Sequence, residues 1–129
     1  MFQRKIKHTI DSLVGISTNI DGHIRFKGGL RIDGHIKGNV IAHDSESSML
    51  VISEHAQIEG DVHAAHVIIN GTVLGAVHSS DILELQPKGN ITGNIHYKTL
   101  EMHPGAVISG TLIHQHNEEP VLKLASSNA

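Results

Sequence analysis

The chain has no cysteine and no tryptophan, and only two phenylalanines and one tyrosine. Without cysteine, no disulfide staples the fold and no thiolate serves as nucleophile or metal ligand; a reducing compartment is compatible with this. With so few rings, no aromatic cluster can anchor a core. No apolar run approaches the ~20 residues of a membrane-spanning helix. The basic start is not followed by the apolar stretch of a signal peptide, because Lys7, His8 and Asp11 interrupt residues 6–16. The expected compartment is the cytosol. The net charge of −3, with histidines neutral, argues against a nucleic-acid partner.

What is present is aliphatic and punctuated. Ile, Val and Leu supply the apolar mass, and 13 glycines divide it. That mixture favours short β-branched strands between tight turns. A length of 129 residues allows one domain.

The punctuation is periodic. An apolar-x-Gly-x-apolar word occurs at Ile20–Ile24, Ile36–Val40, Ile58–Val62, Val73–Val77, Ile91–Ile95 and Ile108–Leu112. The steps between starts are 16, 22, 15, 18 and 17 residues. An apolar-x-apolar word lies between them, at Leu30/Ile32, Leu50/Ile52, Val67/Ile69, Leu83/Leu85 and Leu100/Met102. The repeated IDGHI at 20–24 and 32–36, spaced by 12, is therefore not the period. Residues two apart on a strand face one side, so Ile58, Gly60 and Val62 are expected to point inward together, glycine making room in a narrow interior. A unit of this length cannot bury its apolar face alone and must stack on its neighbours. The fold class is all-β: a single-stranded parallel β-helix, three-sided, of about six rungs. At ~4.8 Å per rung the rod is on the order of 29 Å long. The widest step holds HDSESS at 43–48, expected to be a tolerated loop insertion, with a partner-binding loop as the alternative.

These residues resemble the bactofilins, a family of bacterial cytoskeletal proteins. The resemblance is carried by ISTNIDGHIRFKGGLRIDGHIKGNV (16–40), AQIEGDV (56–62), GTVLGAV (71–77), GNITGNI (89–95) and HPGAVISGTL (103–112), and covers roughly residues 14–114. It implies a right-handed β-helix that polymerises end to end without nucleotide. It also implies a scaffold on the inner face of the cytoplasmic membrane, in cell shape or in placing wall-synthesis or division factors. Members often carry an aromatic residue in the last rung that matters for assembly. Val107 to Ile113 holds none, so the C-terminal contact is expected to use Ile108, Leu112 and Ile113.

Self-association also follows from the repeat. Solenoid ends expose an apolar cross-section and open strand edges, and need polar caps to stay single. No strong cap is evident before Val14 or after Leu112. The expected interface is Val14, Ile16, Ile20 and Ile24 at one end and Ile108, Leu112 and Ile113 at the other. Residues 1–13 are expected to be a separate tail, 14–114 the β-helix, and 115–129 a disordered polar tail with a small VLKL patch. In MFQRKIKHTIDSL, Phe2, Ile6, Ile10 and Leu13 recur at near-helical spacing beside basic residues. Met1, Phe2, Arg4, Lys5, Ile6 and Lys7 are therefore candidate membrane-targeting residues. Each base adds ~1 kcal/mol near an anionic leaflet, and linked copies multiply weak attachment.

Twelve histidines raise the question of metal or catalysis. His63, His78 and His96 follow the last apolar residue of successive glycine words, so they stack in an outward column. Arg25, Ile41 and Ile113 occupy its other rows, and no carboxylate joins it. Two such rings could share a zinc ion, but an exposed ladder is expected, with no metal or other cofactor. His23 and His35 are also expected at the surface. The competing class is a hexapeptide-repeat acyltransferase, also three-sided, or another β-helix enzyme; the acyltransferase would need regular six-residue spacing and a catalytic histidine in a cleft between subunits. No Ser/His/Asp, phosphate-loop or CxxC pattern is present, and no enzyme activity is expected. Titration of all twelve histidines would move the charge from −3 to +9.

Overall fold

The computed structural model describes residues 9–43 and 47–116, and every strand pairing in it is parallel. The chain winds through three faces. The first holds β1 (Ile10–Val14), β4 (Gly29–Ile32), β7 (Met49–Ile52), the later part of β9 (Val62–Ile69), the later part of β11 (Val77–Leu85) and β14 (Thr99–Met102). The second holds β2 (Asn19–Asp21), β5 (His35–Lys37), β8 (Gln57–Glu59), β10 (Thr72–Leu74), β12 (Asn90–Thr92) and β15 (Val107–Ser109). The third holds β3 (Ile24–Phe26), β6 (Val40–Ala42), the starts of β9 and β11, β13 (Ile95–Tyr97) and β16 (Leu112–His114). This is the three-sided parallel β-solenoid of about six turns expected from the repeat.

The register turns sequence words into columns. Ile20, Ile36, Ile58, Val73, Ile91 and Ile108 stack on the second face. Ile24, Val40, Val62, Val77, Ile95 and Leu112 stack on the third. The first face supplies two columns, one running Leu30 to Leu100 and one Val14 to Met102. These aliphatic columns are the core, and in the middle turns they are fully buried. Branched aliphatics suit the narrow bore because each packs on a like neighbour one turn away.

The glycines do something other than expected. Gly38, Gly60, Gly75, Gly93 and Gly110 are not inward strand residues; they open the corner between the second and third faces. A Cβ on any of them would collide with the carbonyl oxygen of the glycine one turn earlier. Gly93 also holds φ +149, a conformation that side chains rarely adopt. Side chains continue the ladder beyond the glycine: Asn39 Oδ1 accepts from the Asp61 N–H, and Asp61 Oδ1 from the Ala76 N–H, each at 2.9 Å.

A second correction concerns the start of the solenoid. The boundary expected at residue 14 falls inside β1, whose residues from Ile10 onward pair with β4. Ile10 and Leu13 therefore belong to a strand and not to a surface-lying helix; the open edge of β4 satisfies their backbone, which a short isolated helix could not do. A one-residue irregularity at Asp11 frees its carboxylate to accept from the Gly29 N–H at 3.2 Å. The candidate targeting residues Met1, Phe2, Arg4, Lys5, Ile6 and Lys7, residues 44–46 and the tail from 117 onward lie outside the described residues.

Candidate functional site

The two ends of the rod are where the column pattern stops. At the N-terminal end Val14, Ile20 and Ile24 point inward and pack on the core, yet stay only half-buried because no turn precedes them. Ile16 stands on the corner after β1 and is 61% exposed; Leu13, on the outward side of β1, is 62% exposed. At the C-terminal end Ile108 packs on the core half-buried, and Leu112, an inward residue, is 45% exposed. Ile113 lies in the outward column, where its position after Leu112 predicts, and not among the inward residues of the end. It pairs with His96 and therefore faces outward, away from the end cross-section. The residues missing from the expected set are Leu100 and Met102, which close the first-face columns, with Met102 47% exposed. The apolar-x-apolar word at 100–102 carried that signal.

Aromatic residues stand near the ends rather than in the last turn. Phe26, Ala42, Ala64, Ser79, Tyr97 and His114 fall in one inward register, so large residues flank a small-residue middle. The small middle leaves room for buried hydroxyls at the corner between the third and first faces. Ser48 Oγ accepts from the Ala65 N–H and Ser79 Oγ donates to the Ala65 carbonyl, each at 2.9 Å. There β9 and β11 run around the corner unbroken.

The histidine ladder forms, but its three rings are half-buried and not exposed as expected. The rings of His63 and His78 stack with centroids 4.1 Å apart, and those of His78 and His96 4.4 Å apart, both nearly parallel. Burial holds the His78 pKa below its ordinary value, the neighbouring imidazoles His63 and His96 add to this, and Asp61 opposes it. Stacking aligns ring faces along the rod, so the three rings do not converge on one ion. His23 and His35 are exposed, and His23 Nδ1 accepts from the Asn39 N–H at 2.9 Å. Ligand atoms of Glu84, Glu101 and His103 do lie within 4.8 Å of one another, a grouping visible only once the register is known. Glu84 is already engaged there, by His103 Nε2 at 3.5 Å and by Gln86 Nε2 donating at 2.5 Å.

An open groove of about 720 Å³ runs over the outer side of the first face, lined by Leu13, Ile16, Arg31, Val51 and Ile68 among others. Asp33 at its edge is held below the usual carboxylate range by a hydrogen bond from Ser53 and by the Arg31 guanidinium 3.0 Å away. These contacts stabilise a fixed charge and do not poise a proton donor. Among the described residues no helix is long and apolar enough to cross a membrane.

The described residues form a parallel β-solenoid with a continuous aliphatic bore that is only partly covered at its two ends. The comparisons with known proteins agree. Residues 12–113 match the family model of bactofilin, described as polymer-forming cytoskeletal. The chain is 28% identical over 111 residues to bactofilin BacO of Myxococcus xanthus, covering 86% of this chain and 85% of that protein. It superimposes on the Thermus thermophilus bactofilin of a cryo-EM reconstruction of double helical filaments with a TM-score of 0.73 and 28% identity, covering 81% of this chain and 99% of that one. The chain belongs to the bactofilin family of polymer-forming cytoskeletal proteins.

Proposed function

We propose that this chain is a scaffold subunit that stacks end to end, without nucleotide, into filaments lying on the inner face of the cytoplasmic membrane. The observation that carries it is the contrast between fully buried inward aliphatics in the middle turns and half-exposed equivalents at both ends. Val14, Ile16, Ile20 and Ile24 form one contact; Ile108, Leu112 and the edge strands around them form the other. Strand edges and apolar bore are satisfied by the same neighbour, so one contact supplies both hydrogen bonds and burial. The basic and apolar residues Met1, Phe2, Arg4, Lys5, Ile6 and Lys7 attach the filament to anionic lipid, each copy weakly and the polymer firmly. The attached filament organises cell shape or positions cell-wall-modifying enzymes or polar and division proteins.

Sedimentation and negative-stain microscopy of the purified protein at micromolar concentration, with and without anionic liposomes, test this. Filaments that pellet alone and coat liposomes are expected. A monodisperse monomer would sink the filament, and discrete trimers would favour the acyltransferase class. Deletion of residues 2–7 is expected to release the protein from liposomes while sparing filaments; unchanged lipid binding would remove the membrane role of that segment.

A further inference from the structure

The first face ends on β14, and among the described residues no strand lies over it. Leu100 is half-buried and Met102 is 47% exposed, while Leu83 and Leu85 directly beneath are fully buried. Strands of this face share one form, x-aliphatic-x-aliphatic: GLRI (29–32), MLVI (49–52), HVII (66–69), ILEL (82–85) and TLEM (99–102). The form recurs once more beyond β16, as VLKL at 121–124.

We propose that residues 121–124 add to β14 as a seventh strand of the first face and cap the C-terminal end from within the same chain. Leu122 then lies over Leu100, Leu124 over Met102 and Lys123 over Glu101. Three observations support this register. First, the connection has a precedent: residues 43–48 lead from β6 to β7 around the same corner, and residues 115–120 would lead equally far from His114 to Val121. Second, the charges complement each other. Glu84 and Glu101 are successive members of the outward column, and like charges directly opposite one another are destabilising. Among the described residues no lysine or arginine forms an ion pair with either, and Lys123 would bring the missing cation. Third, Pro120 falls just before the strand, where a sheet edge tolerates proline. The docking stands independently of the filament. Its consequence for assembly rests on the proposed filament: the tail occupies the edge that a second subunit would use.

Residue-resolved amide hydrogen exchange on the full chain, at a concentration where sedimentation finds monomer, tests the register. On this face the Gln86 N–H donates to the Ile69 carbonyl and the His103 N–H to the Leu85 carbonyl. One turn further, Ala125 would donate to Met102 and Lys123 to Leu100, while the amides of Leu122 and Leu124 point to the open end. Lys123 and Ala125 are expected to exchange about tenfold more slowly than free coil, and Leu122 and Leu124 at coil rates. Deleting residues 117–129 should speed exchange at Leu100 and Met102. Coil-like rates throughout 121–125, or uniform protection without alternation, overturn the docking. With the tail docked nine-tenths of the time, the same deletion should lower the concentration at which filaments pellet by about tenfold. An unchanged pelleting concentration overturns the competition with assembly. Failure of both full-length and truncated chains to pellet at any concentration removes the filament, and the exchange pattern still decides the docking.

Discussion

The middle and the ends of this rod are written in the same words and have opposite surroundings. In the third and fourth turns Ile58, Val62, Val67, Ile69, Val73 and Val77 are fully buried. Their equivalents Ile20, Ile24 and Ile108 in the first and last turns are only partly covered, and Leu112 is 45% exposed. Nothing in the side chains distinguishes the two sets. The difference is whether a turn lies on both sides, so end exposure is half of a contact that the molecule already makes five times with itself.

The strongest way to test that comparison is to truncate equivalent residues. Ile58→Ala is expected to lower unfolding stability in urea by about 2–5 kcal/mol, because its site cannot collapse. Ile108→Ala should cost only about 1 kcal/mol, since less of its area leaves water on folding. Equal losses would break the distinction between middle and end. Leu112→Asp sharpens it: unfolding should change by less than about 1 kcal/mol, as at other exposed sites, while pelleting is lost.

The corner glycines offer a second contrast. Gly93→Ala meets backbone one turn below and a positive φ, and is expected to destabilise by at least about 1–3 kcal/mol. Gly22, with φ +141, has nothing within 4 Å of an added Cβ, and among the described residues no turn precedes it. Gly22→Ala should therefore cost less in the monomer, by thermal unfolding, yet weaken assembly where a further turn brings its carbonyl to that spot. If Gly22→Ala pellets normally, the incoming contact does not continue the glycine column.

The smallest effect concerns pH and belongs to the middle alone. The His78 pKa lies below its ordinary 6.5. A lowered base binds fewer protons folded than unfolded, so its contribution is fully present above that ordinary value and is lost as pH falls through it toward the folded one. Melting temperature should drop between pH 7.5 and 5.5, and His78→Gln should shrink the drop. Filaments are expected to loosen or rebundle between about pH 7 and 5.5, as mild acid adds positive charge to the subunits. Indistinguishable micrographs at both pH values would refute that.

Much of this was legible in advance because a solenoid states its rule once per turn. The rows of inward aliphatics and the histidine column follow from residue spacing alone. What escaped depended on the third dimension of the stack. Glycine was legible as a small residue, but its neighbour is a carbonyl some sixteen residues away, so its reason is invisible along the chain. Ile113 was legible from spacing as a member of the outward column, yet its apolar side chain also suggested the end contact; its pairing with His96 keeps the first reading and not the second. Ile10 and Leu13 fit a helical period because the irregularity at Asp11 offsets the strand alternation by one. Glu84, Glu101 and His103 meet only through the register of two turns.

The connection at residues 43–48 has a geometric consequence. The step between glycine words is 22 residues there against 15 to 18 elsewhere, so in the proposed stack this one long step recurs for every ~29 Å of length. The filament is thus graduated like a ruler. If all subunits point the same way the marks are evenly spaced; if they alternate, short and long intervals alternate too. Decorating that loop with a small electron-dense label turns filament polarity into a measurement of distances between dots.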